Sequence, residues 1–257
     1  MKKFEKIEEK NKYALNNSYF KNKLPDNPIT PLEVQRYYLE HGDLPYKNGE
    51  IKDTWLWECY KEYNKRKGVL HEQFFTPNNI AADMLEVFWS FKKANRTYYH
   101  TQRILEPCCG YGAITKEILS DFEDGEYIDL FLFDIDEKMI ESNVLYNDLE
   151  NKKYVRYENY DFTKEKNYID NQCKGRDIIC NPPYSKPLLA AFLKKCLEWM
   201  NVGNFAVLLV PYGFTQQKNK EIQKNLLEFS GIYHKNIYQG SEFGNTKIKT
   251  QIIVLEK

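Results

Sequence analysis

Residues 104–113 read Ile-Leu-Glu-Pro-Cys-Cys-Gly-Tyr-Gly-Ala, a short apolar run followed by a loop that contains two glycines. Ile104-Leu105 predicts a strand, and the apolar periodicity of Ala113–Leu119 predicts a helix directly after the loop. Glycines at such a junction let the backbone approach a ligand, and the helix N-terminus adds a positive field. Because the spacing of Gly110 and Gly112 is not GxGxxG, this loop by itself is only a weak indication of a ligand site.

The same alternation of strand and helix continues from His71 to the end of the sequence. We predict strands at Ile104–Leu105, Ile128–Phe133, Tyr154–Tyr157, Asp177–Cys180, Phe205–Val210, Tyr233–Tyr238 and Thr250–Leu255. We predict helices at Asn78–Ala94, Ala113–Leu119, Glu137–Leu149, Leu188–Met200 and Lys218–Leu227. Apolar strands joined by helices indicate an α/β fold, with a Rossmann-like, mostly parallel sheet covered on both faces. A short glycine-containing link precedes the last strand, which we expect to be antiparallel.

Residues 1–70 differ from the rest, because they are rich in charged and aromatic side chains. Their pattern favours helices, with breaks at Pro25–Pro28, Gly42–Pro45 and Asn48-Gly49. The sequence therefore predicts two domains, a small helical region at residues 1–70 and an α/β domain at residues 71–257.

Composition narrows the class of protein. The 257 residues can bury a large core, and 37 basic against 37 acidic side chains give no overall signature of nucleic-acid binding. No apolar run is long enough to span a membrane and the first residues are mostly Lys and Glu, so we expect a cytoplasmic protein with no membrane partner. The six cysteines show no paired CxxC spacing, which favours reduced thiols and no metal site.

Asn181-Pro182-Pro183-Tyr184 directly follows the predicted strand Asp177–Cys180. Each proline fixes φ near −65° and donates no N–H, so the tip of this strand is rigid. The side-chain carbonyl of Asn181 and the main-chain carbonyl of Pro182 can both accept from one –NH₂ group, while the Tyr184 ring stacks on its conjugated system. Two such acceptors aim the nitrogen lone pair at an electrophile. The alternative interpretation is a strand followed by a polyproline turn.

Other polar side chains follow the predicted strands or precede a predicted helix. Asp134 lies about 20 residues beyond the glycines, where βαβ nucleotide sites place a carboxylate on ribose hydroxyls. For Asp136 we favour a helix N-cap. Asp161 could accept from an adenine amine while Phe162 covers the ring, although an ordinary loop carboxylate is the alternative. Thr76 could cap the next helix or offer its hydroxyl to a ligand carboxylate.

Taken together, these motifs resemble the catalytic domain of the γ-arranged DNA adenine methyltransferases. In that family a Thr-Pro motif, an EPxxG-type loop, an acid after strand two, Asp-Phe after strand three and Asn-Pro-Pro-Tyr after strand four follow in this order. All five occur here between Gln73 and Tyr184. The likeness continues through Val210–Phe214 and Ser241–Phe243, and covers Gln73–Lys257.

The resemblance implies a Rossmann-like methyltransferase fold, S-adenosylmethionine as cofactor, and methyl transfer to the exocyclic amine of a flipped adenine in DNA, as in restriction-modification. It implies catalytic or base-holding roles for Asn181, Pro182, Tyr184 and Phe243. It implies cofactor contacts for Phe75, Thr76, Glu106, Pro107, Gly110, Gly112, Asp134, Ile135, Asp161, Phe162 and Asn181.

Departures from the family pattern leave alternatives open. Cys108-Cys109 stands where the family often has small residues, and the predicted last strand ends the sequence, so we expect no C-terminal target-recognition domain. DNA would then be read by residues 1–70 acting as a clamp, by loops such as Tyr212–Lys220 and Lys235–Lys249, or by a separate specificity subunit. A protein glutamine methyltransferase also uses Asn-Pro-Pro-Tyr but usually lacks the Phe-Thr-Pro segment. An RNA adenine methyltransferase and a catalytically silent binding module are the remaining alternatives.

Overall fold

The computed structural model describes residues 46–47, 50–51, 76–94, 101–122, 128–239 and 248–257. By its internal contacts the chain divides into two units, Met1–His71 and Glu72–Lys257. In the first unit, the described residues form two antiparallel strands, β1 (Tyr46–Lys47) and β2 (Glu50–Ile51). They flank Asn48-Gly49 in the sequence, a pair that favours hairpin turns, whereas the pattern of residues 1–70 predicts only a break between helices there. The helices predicted within residues 1–70 lie outside the described residues.

The second unit alternates strands and helices. Its strands are β3 (Gln102–Pro107), β4 (Ile128–Asp134), β5 (Val155–Asn159), β6 (Asp177–Cys180), β7 (Phe205–Pro211), β8 (Gly231–Tyr238) and β9 (Thr250–Glu256). Its described helices are α1 (Asn78–Ala94), α2 (Ala113–Ser120), α3 (Glu137–Tyr146), α4 (Asn167–Cys173), α5 (Lys186–Trp199) and α6 (Lys220–Leu226). Short 3₁₀ turns lie at Leu149–Asn151 and Phe214–Gln216.

These seven strands form one sheet in the order β5-β4-β3-β6-β7-β9-β8. Strands β3 to β7 pair in parallel, and β9 runs antiparallel to both β7 and β8. The predicted mostly parallel sheet with an antiparallel last strand is confirmed.

Both faces of the sheet are covered by helices, as the alternation of side chains along β7 shows. Phe205 contacts Phe88 and Phe91 of α1, with ring centroids 5.1 and 5.7 Å apart. The next residue, Ala206, belongs to the buried cluster on the other face, which α4, α5 and α6 cover. Because successive side chains of a strand point to opposite faces, the apolar character of the whole strand follows from this double coverage.

Polar contacts near both ends of α1 fix this helix against the sheet. Near its C-terminus, Lys92 forms an ion pair with Asp177 at the start of β6, and the two side chains are 10% and 3% exposed. Near its N-terminus, Asp83 accepts a 2.6 Å hydrogen bond from the Tyr238 hydroxyl of β8. These contacts determine where the segment just before α1 lies.

The predicted bounds of α1 and β6 coincide with the observed ones, and the other predicted elements differ by a few residues at their ends. Helix α4 was not predicted, and the helix predicted at Glu137–Leu149 ends at Tyr146 and is followed by a 3₁₀ turn. Within the described part of the chain, no helix has both the length and the apolar character needed to cross a bilayer.

Candidate active site

Four of the predicted site residues lie in a row along one edge of the sheet. Asp161, Asp134, Glu106 and Asn181 stand at or just beyond the carboxyl ends of β5, β4, β3 and β6, which are neighbours in that order. The chain runs outward from β3 to β5 and then crosses back to β6, so the strand order reverses between β3 and β6. Ligands of open α/β sheets bind in the crevice at such a switch point.

The glycine loop between β3 and α2 is held by main-chain hydrogen bonds. Cys109 N–H donates to the Phe133 carbonyl of β4 at 3.0 Å, and Gly112 N–H donates to the Cys109 carbonyl at 3.1 Å. Backbone φ is +56° at Cys108, +54° at Gly110 and +94° at Gly112, so the loop turns through left-handed conformations. This sharp turn brings the N-terminus of α2 to the crevice.

Gly112 is required for a reason that the sequence did not suggest. A Cβ at this position would lie 2.2 Å from Asn143 Oδ1 and 2.4 Å from Asn147 Nδ2, both on or just after α3. Asn147 Nδ2 also donates to the Gly112 carbonyl at 3.1 Å. The sequence predicts that this glycine admits a ligand, whereas the contact that the structure shows at Gly112 is with these asparagines.

A buried polar chain runs on from these asparagines to the end of β3. Asn143 Nδ2 donates to Thr115 Oγ1 at 3.0 Å, and Thr115 Oγ1 donates to Glu106 at 2.6 Å. Asn143 and Thr115 are fully buried and Glu106 is 1% exposed. Burial raises the pKa of the Glu106 carboxyl from 4.5 to about 8, although the hydrogen bonds from Thr115 act in the opposite direction. The glycine-loop motif predicts Glu106 as a site residue, whereas its buried partners Thr115 and Asn143 belong to no motif.

Asp134 is also buried, and its carboxylate holds two loops. Oδ2 accepts from Gly110 N–H and Oδ1 accepts from Asp136 N–H, each at 2.9 Å. Burial raises the pKa of Asp134 from 3.8 to about 6. The hydrogen bonds from the two N–H groups favour the ionised form and so act in the opposite direction. Each carboxylate oxygen can accept a second hydrogen bond, so a ribose contact at Asp134 stays a prediction. Asp136 occupies the N-cap position that we favoured, because its carbonyl accepts from Met139 N–H at 2.9 Å.

Thr76 and Asn181 meet although they are 105 residues apart in sequence. Asn181 Nδ2 donates to Thr76 Oγ1 at 3.1 Å. Both residues line a cleft at the switch point, together with Glu106, Cys109, Gly110 and Ile114. The structure thus brings the Thr-Pro segment, the glycine loop and Asn-Pro-Pro-Tyr to one place.

The strand that carries Asn181 is tied to its neighbour. Cys180 Sγ donates to the Pro107 carbonyl at 2.6 Å, so the ends of β6 and β3 are joined next to the cleft. Pro182 is buried, and Tyr184 is partly exposed. Burial of its hydroxyl raises the pKa of Tyr184, so this phenol stays protonated at any physiological pH.

Asp161 and Phe162 lie at the far end of the row. Asp161 Oδ1 accepts from Thr163 N–H at 3.0 Å and from the Thr163 hydroxyl at 2.6 Å, as in an ordinary polar turn. Partial burial opposes ionisation, but these bonds and the Lys164 ammonium lower the pKa of Asp161. Phe162 is 7% exposed and packs edge-on against Phe192 of α5 at 5.6 Å. Their predicted contacts with adenine stay predictions.

Ile135, Phe75 and Phe243 are the other residues predicted to contact the cofactor or the base. Ile135, directly after Asp134, is 50% exposed at the end of β4. Phe75 and Phe243 lie outside the described residues.

Solved structures with a similar fold include methyltransferases. A type I restriction-modification methyltransferase subunit from Streptococcus thermophilus has a TM-score of 0.58 at 17% identity, over 79% of this chain and 49% of that chain. A modification subunit assigned to a type I restriction enzyme of Vibrio vulnificus has a TM-score of 0.53 at 17% identity, over 87% of this chain and 53% of that chain. A Listeria monocytogenes protein assigned to the class I S-adenosylmethionine-dependent methyltransferases has a TM-score of 0.54 at 13% identity, over 91% of this chain and 83% of that chain.

This chain therefore spans about half the length of the two restriction-modification subunits. No family model matches the sequence, and no curated protein matches it. At these identities the structural likeness defines the fold, which is the Rossmann-like fold of class I S-adenosylmethionine-dependent methyltransferases.

Proposed function

We propose that this chain transfers a methyl group from S-adenosylmethionine to the exocyclic amine of adenine in DNA. One observation carries the proposal. Asn181-Pro182-Pro183-Tyr184 lies at the carboxyl end of β6, beside the cleft that the glycine loop and Thr76 line. This position, next to a crevice of the kind in which open α/β sheets bind nucleotides, supports the proposed role of Asn181 and Pro182 as acceptors for an –NH₂ group.

The residues of the cleft fit the proposed cofactor, which supplies an electrophilic methyl group on a sulfonium. Glu106 lines the cleft, and Asp134 accepts a hydrogen bond from the N–H of Gly110, another lining residue, so a buried carboxyl group lies in the cleft wall and a second one lies next to it. A positive charge nearby favours the ionised form of each carboxyl group and offsets part of its burial cost. Gly110 would approach the ligand, and Asp134 would accept from its ribose hydroxyls.

The amine would be recognised by Asn181 and Pro182. Both would offer carbonyl oxygens to the two hydrogens of one –NH₂ group, and positioning would supply most of the catalysis because the sulfonium is already reactive. We assign no general base. The Tyr184 ring would stack on the base, at a gain of roughly 1–3 kcal/mol per base. That gain offsets part of the few kcal/mol that flipping a base out of a duplex costs.

DNA is favoured over a protein amide because of the Thr-Pro segment. This segment accompanies Asn-Pro-Pro-Tyr in the resembled DNA methyltransferases, and here Thr76 contacts Asn181 directly. The similar subunits of type I restriction enzymes are consistent with a DNA substrate and with a separate specificity subunit as partner. We include both in the proposal.

Methylome sequencing of a host that expresses the chain, with Asn181→Ala as the inactive control, tests the substrate. We expect N6-methyladenine in DNA from the wild type alone. In parallel, purified protein is incubated with methyl-labelled cofactor and DNA, RNA or a glutamine-containing release factor. Label confined to RNA or to the release factor would replace the proposal with the corresponding alternative. If the protein binds the cofactor but labels neither DNA, RNA nor the release factor, and the host DNA contains no methyladenine, the chain is a binding module without methyltransferase activity.

A further inference from the structure

The contact between Thr76 and Asn181 is made through the donor end of the asparagine amide. Asn181 Nδ2 donates to Thr76 Oγ1, and the Thr76 residue is only 6% exposed. Because the amide is planar, holding Nδ2 on one side places Oδ1 on the other. The proposed reaction needs Oδ1, an acceptor, towards the substrate amine. The opposite orientation would turn the Nδ2 donor towards the amine hydrogens and repel them.

A threonine hydroxyl does not enforce this choice by itself. It carries one proton and two lone pairs, so it can accept from Nδ2 or donate to Oδ1. The choice is made only when the proton of the hydroxyl is donated elsewhere. The hydroxyl is then purely an acceptor towards Asn181, and the amide has one favourable orientation.

We propose that Thr76 is a positioning residue that couples cofactor binding to the orientation of Asn181. Its hydroxyl donates its single proton to the carboxylate of the bound cofactor and accepts from Asn181 Nδ2, so that Oδ1 faces the substrate amine. The inference rests on the proposed function, and it deepens the role of the Thr-Pro segment from cofactor contact to control of the substrate site.

The fold gives Thr76 the rigid support that such a role needs. Thr76 and Pro77 immediately precede α1, and the Pro77 carbonyl accepts from Ala81 N–H at 2.9 Å. Helix α1 is itself fixed by the Lys92–Asp177 ion pair and by the bond between Asp83 and Tyr238. Asp177 begins β6, the strand that ends next to Asn181, so one helix and one strand set the distance between the two partners.

Kinetics of three variants separate this role from simple cofactor binding. Thr76→Val, which keeps the side-chain shape and removes the hydroxyl, should lower kcat at saturating cofactor by at least about tenfold. Thr76→Ser should restore kcat to within about threefold of wild type, because the hydroxyl returns. Ser90→Ala, which removes a hydroxyl bonded to Val87 on the same helix, is the control and should leave kcat unchanged.

A double variant tests the orientation itself. In Asn181→Asp both terminal atoms are oxygens, so no flip needs to be prevented. Adding Thr76→Val to Asn181→Asp should therefore change kcat by less than about twofold, well below its effect in the wild-type background. Equal losses in the two backgrounds, or a Thr76→Val defect confined to cofactor affinity with kcat unchanged, would overturn the proposal.

Nuclear magnetic resonance provides a readout that needs no turnover. The side-chain amide signal of Asn181 is identified by its loss in Asn181→Asp. We expect one of its two Nδ2 protons to exchange slowly in the wild type, more slowly still with S-adenosylhomocysteine, and rapidly in Thr76→Val. If the Nδ2 protons of wild-type Asn181 exchange as fast as those of the exposed Asn167, both with and without S-adenosylhomocysteine, the proposed role of Thr76 is refuted. This comparison uses only the wild type, so it holds even if Thr76→Val does not fold. If the wild type methylates no substrate while the protection is seen, the proposed function fails and the coupling stands.

Discussion

The main-chain N–H of Gly110 donates to Oδ2 of Asp134 across 2.9 Å and thereby ties the glycine loop to the end of β4. The other oxygen of the same carboxylate accepts from Asp136 N–H, so one buried side chain fixes loops after two adjacent strands. In a nucleotide-binding βαβ unit, the carboxylate side chain at this position is usually considered only for its contact with the ribose. Here the same group also holds the main chain that would face the cofactor.

Asp134→Ala should weaken S-adenosylmethionine binding at least about tenfold in calorimetry. Hydrogen bonds to a charged group contribute roughly 1.5–3 kcal/mol, and about 1.4 kcal/mol already corresponds to a tenfold change in affinity. Glu165→Ala, which removes an exposed carboxylate after β5, is the matched control and should bind normally. Unchanged affinity in Asp134→Ala would contradict the cofactor role assigned to this residue.

Gly112→Ala should unfold at a clearly lower urea concentration than the wild type. The new Cβ would meet Asn143 Oδ1 at 2.2 Å, and φ of +94° is unfavourable for any residue with a side chain. We expect a loss of about 2–5 kcal/mol, as the sum of about 1–2 kcal/mol for left-handed strain and about 1–3 kcal/mol for overpacking.

Gly203→Ala separates these two contributions. Gly203 has a similar φ of +87°, but a Cβ there would have no heavy atom within 4 Å. This variant should therefore show the strain alone, about 1–2 kcal/mol. Equal losses in the two variants would mean that Asn143 moves aside at little cost.

Stability in the absence of cofactor should fall as pH rises, because of Glu106. Its pKa is about 8 in the folded chain and 4.5 in the absence of burial, so the folded state retains a proton that the unfolded state has lost between these values. Raising pH through this window therefore favours unfolding. Asp134, with a pKa raised to about 6, adds the same trend at lower pH.

Thermal unfolding of Glu106→Gln between about pH 5 and pH 9 isolates the Glu106 contribution. The amide keeps an acceptor for Thr115 and does not titrate. The Tm of the wild type should therefore fall relative to the Tm of the variant as pH rises. S-adenosylmethionine should reduce that difference, because a cationic ligand favours the ionised carboxylate. Melting curves that stay parallel across the whole range would refute the assignment.

Strand periodicity was sufficient to predict most of the sheet, and the failures have local causes. Helix α4, Asn-Tyr-Ile-Asp-Asn-Gln-Cys, contains two buried apolar residues, Ile169 and Cys173, in a single short stretch. These two residues have helical i, i+4 spacing, but a single pair in seven residues is too short to establish a helical period. The antiparallel pair of β1 and β2 was missed because the aromatic and charged residues of this region favoured helices.

The site could be predicted as a set of motifs but not as a network. Asn143 and Asn147 are four residues apart in a mostly polar region, which is typical of a solvated helix surface. Their burial against Gly112 depends on how α3 meets the glycine loop. The Thr76–Asn181 bond likewise depends on the docking of α1, because sequence spacing carries no information on contacts across 105 residues.

Lysines near the substrate edge should contribute to DNA affinity through phosphates. Lys218 follows β7 and Lys249 precedes β9, and both are exposed. Lys249 Nζ lies 5.4 Å from the centroid of the Tyr212 ring, which is 53% exposed beyond the carboxyl end of β7. Strand β7 pairs with β6, the strand that carries Asn181, so these side chains stand at the same edge of the sheet as the proposed catalytic residue.

The double variant Lys218→Gln with Lys249→Gln should weaken binding to a DNA duplex and flatten its salt dependence. Each lost phosphate contact lowers the slope of log affinity against log salt by about 1, so a change of about 2 is expected from fluorescence anisotropy. The loss should be similar for all duplex sequences, because phosphate contacts give no direct base readout. Lys153→Gln with Lys174→Gln, at the amino ends of β5 and β6, removes the same charge from the opposite edge and should leave the slope unchanged. Equal slopes for the two double variants would place the DNA elsewhere on the molecule.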